Sequence, residues 1–261
     1  MFENIERIIK RIKQEKPLIL NITNDVTMDF VANGLLSLGA SPVMSQASQE
    51  SADLINIASA VVINPGTLNN VFIKHAEQVC QLANATHKPI VLDPVGAGAS
   101  LYRTTACKRI LAEFDIAILR GNASEIIALA GNTTHYTKGV DSLSDTHHAI
   151  DSAKTLAAAH NVTVVISGAT DAIVDTNDIH FFERGSPLMP RVTGTGCLLS
   201  AIVGAFHAVH PIPFEAATAA TLFYGVCGEM AAIHARKPGS FKVAFLDALY
   251  TMPKRSDYAK S

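Results

Sequence analysis

Short apolar runs alternate along this chain with longer segments whose apolar positions recur at helical spacing. We interpret the runs as strands buried on both faces, which is typical of a parallel sheet covered by helices on both sides. These strands are predicted at Pro17–Asn21, Ala60–Ile63, Pro89–Asp93, Asp115–Leu119 and Val162–Ile166. Helices are predicted between them, at about 28–38, 69–86, 102–113 and 122–130.

The pattern changes in the last third of the chain. Two short apolar runs, at 172–175 and 179–182, are separated by Asn177-Asp178 and predict a hairpin that adds antiparallel strands at one sheet edge. After Gly196 the chain is mostly helical. The predicted fold is therefore α/β: a three-layer α/β/α arrangement with a mostly parallel central sheet, an antiparallel edge and a helical C-terminal third. No linker or repeat divides the chain, so we expect a single domain over residues 1–261.

Composition and charge indicate which classes of binding partner and which cellular compartment to expect. The 261 residues carry 21 Lys and Arg against 23 Asp and Glu, a formal net charge of −2. No electrostatic footprint therefore points to nucleic acid or to an anionic membrane. The first fifteen residues lack the apolar core of a signal peptide, we find no membrane-spanning stretch, and the four cysteines form no CxxC pair. We expect a cytoplasmic protein.

Polar clusters follow several of the predicted strands. In open parallel sheets, ligands bind beyond the carboxyl ends of the strands, so these exits are the candidate site. Asp93 and Glu125 would place two carboxylates at one rim, which suits Mg²⁺, and the Arg120 guanidinium suits a phosphate. The alternative is an Arg120–Glu125 salt bridge with Asp93 capping a turn.

A further cluster, Thr193–Cys197, opens a helix with two glycines. A helix N-terminus preceded by glycines can bind an anion, because its first N–H groups are unpaired and the helix dipole favours negative charge. At such a terminus we expect Cys197 to have a depressed thiol pKa. The alternative is a turn and cap with a packed cysteine.

As an ordered set, the motifs of this chain resemble the hydroxyethylthiazole kinase family of the ribokinase-like superfamily. The resemblance covers about residues 15 to 250 and rests on Asn21–Asn24, Ala32–Leu36, Gly39–Met44, Asp93–Gly98, Arg120–Asn122 with Ser124-Glu125, and Thr193–Cys197. It implies transfer of the ATP γ-phosphate to the primary hydroxyl of 4-methyl-5-(2-hydroxyethyl)thiazole, for thiamine synthesis or salvage.

The resemblance also implies residue roles. Cys197 would lie near the substrate hydroxyl as the catalytic residue, and Mg²⁺ would be organised through waters by Asp93 and Glu125. The remaining contacts would be Asn24, Val26, Met44 and Gly194 to the thiazole, and Arg120, Ser167 and Gly196 to ATP. The family is typically a homotrimer with active sites between subunits.

Two departures and two alternatives accompany the resemblance. Asp25 stands where an aromatic or apolar residue is expected, and Ser167 replaces the more usual Thr. One alternative is another superfamily enzyme, acting on hydroxymethylpyrimidine or pyridoxal or as an ADP-dependent hydrate dehydratase. Such enzymes usually carry Asp where this chain has Cys197. The second alternative is a nucleotide-binding sensor without catalysis, which would tolerate loss of Asp93 or Glu125.

Overall fold

The computed structural model describes residues 2–131 and 142–258, apart from the side chains of 142–145 and 147. Within this part, eight strands form one sheet in the order β2-β1-β3-β4-β5-β6-β7-β8. The strands are β1 Leu18–Ile22, β2 Ser41–Met44, β3 Ala60–Ile63, β4 Ile90–Leu92, β5 Ile118–Asn122, β6 Thr163–Ser167, β7 Asp171–Val174 and β8 Ile179–Phe182.

The pairing of the strands confirms the predicted mixed sheet. All pairs from β2 through β6 are parallel, whereas β7 and β8 are antiparallel to their neighbours. The carboxyl ends of β1, β3, β4, β5 and β6 therefore meet at one edge of the sheet, which we call the carboxyl edge.

Helices cover both faces of the sheet, as predicted. They are α1 Phe2–Glu15, α2 Met28–Leu38, α3 Ser51–Ile57, α4 Asn70–Ala85, α5 Leu101–Glu113, α6 Ala123–Leu129, α7 Ser142–His160, α8 Thr195–Val209, α9 Pro213–His234, α10 Pro238–Thr251 and α11 Arg255–Tyr258. One buried apolar cluster joins the sheet to α1, α2, α8, α9 and α10, and a second joins its other face to α3 through α7. Strand residues alternate between these two clusters, which explains why both sides of each central strand are apolar.

The helix α9 has the length and mean hydropathy of a membrane span, and 78% of its apolar window is buried inside the protein. This burial is what a core helix shows, since such a helix packs its apolar surface against other helices.

The strand β2 is not predicted from the sequence. Its four residues are all half-buried and include Pro42, which pairs with Ile19 of β1. A proline has no N–H to donate and is tolerated in a sheet at an edge strand, so β2 lacks the apolar run that marked the buried strands. Its position matters because Met44, a predicted thiazole contact, ends this edge strand.

Candidate active site

The glycine turn before α8 brings that helix against two other elements. Gly194 caps α8 with φ 93°, a left-handed conformation that favours glycine. A Cβ at Gly194 would lie 3.0 Å from the Thr27 side chain, and a Cβ at Gly196 would lie 2.8 Å from Arg120 Nη1. The start of α8 therefore touches the N-terminus of α2 on one side and the Arg120 guanidinium on the other.

Asp93 lies directly after β4 and is fully buried. Its Oδ2 accepts hydrogen bonds from Asn64 Nδ2 at 2.9 Å and from Ser200 Oγ at 2.8 Å. Arg120 Nη1 lies 3.6 Å from the same oxygen. Burial raises the pKa of Asp93, and the Arg120 charge and these hydrogen bonds oppose that rise.

Arg120 connects this carboxylate to the next strand exit. Its Nη2 donates to Ser167 Oγ, at the end of β6. Within the described residues, Arg120 Nε and Asp93 Oδ1 are buried and have no hydrogen-bond partner. Buried polar atoms are nearly always satisfied, so this donor and this acceptor indicate a ligand or water at the site.

Glu125 holds the loop that follows β4. With Asn122 it forms a capping box at the start of α6. Its Oε2 accepts from the Asn122 N–H and its Oε1 from the Gly96 N–H, each at 2.9 Å. Burial, and after it the Asp93 charge, raises the pKa of Glu125. The alternative Arg120–Glu125 salt bridge is wrong, because Arg120 pairs with Asp93.

The two carboxylates fit a magnesium ion bound in part through water. No cluster of three His, Cys, Asp or Glu side chains suited to a metal occurs in the described part of the chain. Mg²⁺ nevertheless needs only one or two carboxylates besides waters and phosphate oxygens. Among the described residues, Asp93 Oδ1 has no partner, and each Glu125 oxygen keeps a lone pair beyond the one hydrogen bond found there. The assignment of a metal to these residues stays a prediction.

A large cavity, about 960 Å³, opens beside Arg120. Its walls include Arg120, Ser167, Asp171, Gly196 and Tyr224. We call it the nucleotide cavity, since its volume lies in the range of small-molecule sites and the predicted ATP contacts line it. Asp171 lies in its wall, where burial raises the pKa of the carboxyl to about 7.

The predicted thiazole contacts lie on the other side of Cys197, and we call them the acceptor rim. Asn24 is buried and donates from Nδ2 to Cys197 Sγ at 3.4 Å. Val26 is 68% exposed, and Met44 is half-buried. Asp25, unexpected at its position, accepts from Gln46 Nε2 at 2.6 Å and so ties the loop after β1 to the loop after β2.

Cys197 corrects one prediction. Burial, and after it the negative charge of Asp93, raises the pKa of this thiol, although the Thr27, Asn64 and Asn24 side chains favour its thiolate. The expected depressed pKa is therefore wrong. The favourable helix terminus does not compensate for the loss of water around a half-buried sulfur.

Three further polar residues of the site were not found from the sequence: Asn64, Ser200 and Asp171. Asn64 follows β3, so the rule that directed attention to the other strand exits applies to it equally. Ser200 lies one helical turn after Gly196 and therefore faces the same edge. Asp171 is the first residue of an antiparallel strand, whereas the rule used for the other residues applies only to positions after the carboxyl ends of parallel strands.

The fold is ribokinase-like, and a buried arginine beside a carboxylate and a glycine turn suits the binding of a phosphorylated small molecule. A ribokinase-like superfamily protein from Enterococcus faecalis matches 90% of this chain and 87% of its own with a TM-score of 0.67, and at 14% identity it supports the fold alone. A structure of hydroxyethylthiazole kinase protein from Pyrococcus horikoshii is 40% identical with a TM-score of 0.89, covering 97% of this chain and 95% of its own.

The family model for the hydroxyethylthiazole kinase family matches residues 9–255. Hydroxyethylthiazole kinase of Desulfotalea psychrophila is 45% identical over 94% of this chain and 89% of its own, and that of Photobacterium profundum is 46% identical over 93% and 87%. The chain belongs to the hydroxyethylthiazole kinase family. It is an enzyme, a kinase that phosphorylates hydroxyethylthiazole, and ATP is the co-substrate that this family implies.

Proposed function

We propose that the chain transfers the γ-phosphoryl group of ATP to the primary hydroxyl of 4-methyl-5-(2-hydroxyethyl)thiazole, with Mg²⁺ as cofactor, and so supplies the thiazole phosphate for thiamine diphosphate. The observation that supports this most directly is the placement of Arg120. Its guanidinium lies between the Asp93 carboxylate, Ser167 and the start of α8, at the edge where the acceptor rim meets the nucleotide cavity.

Phosphoryl transfer needs mainly positioning and charge stabilisation. In the proposed reaction Arg120 and Ser167 bind phosphate oxygens from the nucleotide cavity, and the amides at residues 194–197 face the phosphoryl group as it moves. Asp93 and Glu125 would hold Mg²⁺, in part through waters. The ion would supply charge neutralisation of the phosphates.

Cys197 orients the substrate hydroxyl in this proposal. Burial raises its thiol pKa and so favours the neutral thiol. A loose transition state lets the hydroxyl lose its proton late, so a weak base suffices and most of the acceleration comes from the anion-binding groups. Cys197→Ser should retain measurable turnover, about a tenth of the wild-type kcat, in a steady-state assay. Complete loss with thiazole binding intact, measured calorimetrically, would contradict this and make Cys197 an obligatory base.

We also propose that the protein acts as a cytoplasmic homotrimer of single-domain chains, whose neighbours complete the acceptor rim. The exposed Val26 and the edge strand β2 leave this rim open, and exposed apolar side chains lie nearby at Val71 and Tyr102. Asp25 N–H donates to Thr67 Oγ1 and Tyr102 to Asn70 Oδ1, which places these side chains around one loop. Light scattering tests assembly, and a stable, active monomer would exclude a shared site.

The activity is tested with Mg-ATP and a panel of thiazole, pyrimidine and pyridoxal alcohols, following ADP release and the product mass. We expect a phosphate added to hydroxyethylthiazole at a kcat/KM well above that for the other alcohols. Activity confined to pyrimidine or pyridoxal alcohols would overturn the substrate assignment. ADP release that is equal with and without any alcohol would show an ATPase.

A further inference from the structure

A series of polar side chains connects Cys197 to Asp93 across the strand ends. Asn24 Nδ2 contacts both Cys197 Sγ, at 3.4 Å, and Asn64 Oδ1, at 3.0 Å. Asn64 Nδ2 in turn donates to Asp93 Oδ2 at 2.9 Å. Asn24, Asn64 and Asp93 are all buried. Asn64 therefore lies between the acceptor rim and the carboxylate that pairs with Arg120.

Two backbone amides fix the orientation of both asparagine side chains. The Thr27 N–H donates to Asn24 Oδ1, and the Gly66 N–H donates to Asn64 Oδ1, each at 3.1 Å. A backbone N–H can only donate, so each side-chain oxygen must face its amide and each Nδ2 must face the next group in the series. The sulfur of Cys197 and the carboxylate of Asp93 are consequently both held as acceptors.

Close packing supports the same set of contacts. A Cβ at Gly66 would lie 2.7 Å from the Asn24 Cβ, so the turn after Asn64 rests directly on the Asn24 side chain. Arg103 secures this turn, donating to the carbonyl oxygens of Pro65 and Gly66, each at 2.8 Å. The backbone that carries these side chains is therefore held in place, which a residue that positions catalytic groups requires.

We infer that Asn64 is a positioning residue for the phosphoryl transfer, because it holds the Asn24 amide against the Cys197 sulfur and at the same time orients the Asp93 carboxylate. The inference rests on the proposed function, in which Cys197 meets the thiazole hydroxyl and Asp93 helps to hold the metal. Asn64 acts through these neighbours: its side chain hydrogen-bonds Asn24 and Asp93 and also favours the Cys197 thiolate.

The reactivity of Cys197 distinguishes positioning from general support of the fold. The Thr27, Asn64 and Asn24 side chains all favour the thiolate, while Asp93 is the charged group that opposes it. Loss of the Asn64 donor should therefore lower the thiolate population and slow alkylation of Cys197. Loosening of the structure would do the opposite, since it would admit water and reagent to the sulfur.

The test compares Asn64→Asp, which keeps the size of the side chain and replaces its donor by an oxygen, with Asn64→Ser, which is too short to span both neighbours. Each protein is treated with iodoacetamide at a fixed pH of about 8, and labelling of the Cys197 peptide is followed by mass spectrometry. We expect labelling to be several-fold slower in both variants and slowest in Asn64→Asp, since iodoacetamide reacts with the thiolate.

Two controls come from the chain itself. Cys80, Cys107 and Cys227 are buried and should stay unlabelled in every folded variant. Asn21→Ser removes an equally buried asparagine from β1, whose Nδ2 donates to the Ile19 carbonyl at 2.8 Å, outside the series. Its Cys197 labelling should match the wild type. If Asn64→Asp labels all four cysteines, it has unfolded, and Asn64→Ser decides the question.

Kinetics complete the test. In the folded Asn64 variants we expect kcat to fall about 10- to 100-fold while KM for ATP changes less than about threefold, because Arg120 and Ser167 remain in place. Labelling of Cys197 at the wild-type rate or faster, with the other cysteines protected, would overturn the inference. Labelling needs neither ATP nor thiazole, so failure of the proposed kinase reaction would appear separately, as an inactive wild type.

Discussion

The nucleotide cavity and the acceptor rim lie on opposite sides of the same helix start, and they are built differently. On the cavity side, Arg120 and Asp171 line the wall and Asp93 pairs with Arg120. All three ionisable groups are at least nine-tenths buried and held by hydrogen bonds to neighbouring strands and loops. At the rim, Val26 is exposed and Met44 is half-buried at the end of an edge strand.

The difference follows from what each side would bind in the proposed reaction. A migrating phosphoryl group is stabilised by fixed dipoles and charges in a site from which water is excluded, and such a site needs support from several buried strands. A small alcohol needs mainly shape and one oriented hydroxyl contact. In the proposed trimer a second chain would complete the rim, whereas Asp93, Arg120 and Ser167 on the phosphate side all come from one chain.

The largest effect that tests this comparison should come from Arg120→Ala. The substitution leaves the fully buried Asp93 without the cation that faces it and removes the contact to Ser167. We expect kcat/KM for ATP to fall about 10³-fold. The free energy of unfolding should fall by about 3–5 kcal/mol, as for other broken buried pairs.

Steady-state kinetics and chemical denaturation measure these two quantities. Arg120→Lys is the matched variant, since it keeps the charge and loses the planar fork; we expect it to recover most of the stability and only part of the activity. Equal ATP kinetics in the alanine variant and the wild type would show that the cavity beside Arg120 is not the nucleotide site.

A smaller effect is expected from two matched glycine substitutions, each of which should disturb one side of the site. A methyl group at Gly196 would displace the Arg120 guanidinium, 2.8 Å away, whereas one at Gly194 would crowd Thr27 at 3.0 Å and strain a backbone with φ 93°. Gly196→Ala should raise KM for ATP about 10- to 100-fold and leave KM for the thiazole within threefold. Gly194→Ala should instead raise KM for the thiazole and leave KM for ATP nearly unchanged.

A third glycine of the same helix supplies the control. A Cβ at Gly204 would lie 3.0 Å from a Val62 methyl in the core, away from both sides of the site. Gly204→Ala should lower the melting temperature and change neither Michaelis constant. If Gly194→Ala and Gly196→Ala raise both constants equally, the helix start serves the two substrates as one unit and the comparison fails.

The sheet and the meeting of polar side chains at its carboxyl edge could be predicted because they depend on local signals. Continuous apolar runs mark strands buried on both faces, and the rule of strand exits then finds Asp93, Arg120 and Ser167 without knowledge of any contact. The chain order of the strands also matches their order in the sheet from β3 to β8. Residues at successive exits are therefore neighbours in space.

Contacts that depend on packing between elements could not be predicted. Whether Arg120 pairs with Asp93 or with Glu125 depends on the capping box that occupies the Glu125 oxygens. The sign of the Cys197 pKa shift depends on how much water reaches the sulfur, which no local sequence pattern records. The edge strand β2 is half-buried, so its side chains lack the pattern of a central strand.

The smallest effect concerns Asp171, which carries negative charge toward a cavity proposed to bind a triphosphate. Its Oδ1 accepts from the Gly168 N–H at 3.0 Å, and burial raises its pKa from 3.8 to about 7. Between these two values the folded protein binds a proton more readily than the unfolded chain does. Ionisation of this carboxyl therefore costs stability progressively as the pH rises from about 4 to about 7, and the cost is constant above that range.

Asp171→Asn keeps an oxygen for the Gly168 amide and removes the ionisable group. The free energy by which the variant is stabilised over the wild type should be larger at pH 8 than at pH 5, by at most roughly 2–3 kcal/mol. The reason is that about two pKa units separate pH 5 from the pKa of Asp171 in the folded protein. Chemical denaturation at the two pH values measures this difference. KM for ATP should fall about threefold at pH 8 and stay unchanged at pH 6, where the wild-type carboxyl is already largely neutral.

An opposite result would be equally informative about the cavity. If Asp171→Asn raised KM for ATP at both pH values, the carboxylate would be a nucleotide contact, such as an acceptor for a ribose hydroxyl, and not a repulsive charge. The nucleotide cavity would then use Arg120 for the phosphates and Asp171 for the uncharged part of ATP, with the two groups facing different parts of one ligand. A stability difference independent of pH would contradict the raised pKa itself, since an unshifted carboxyl contributes no change between pH 5 and pH 8.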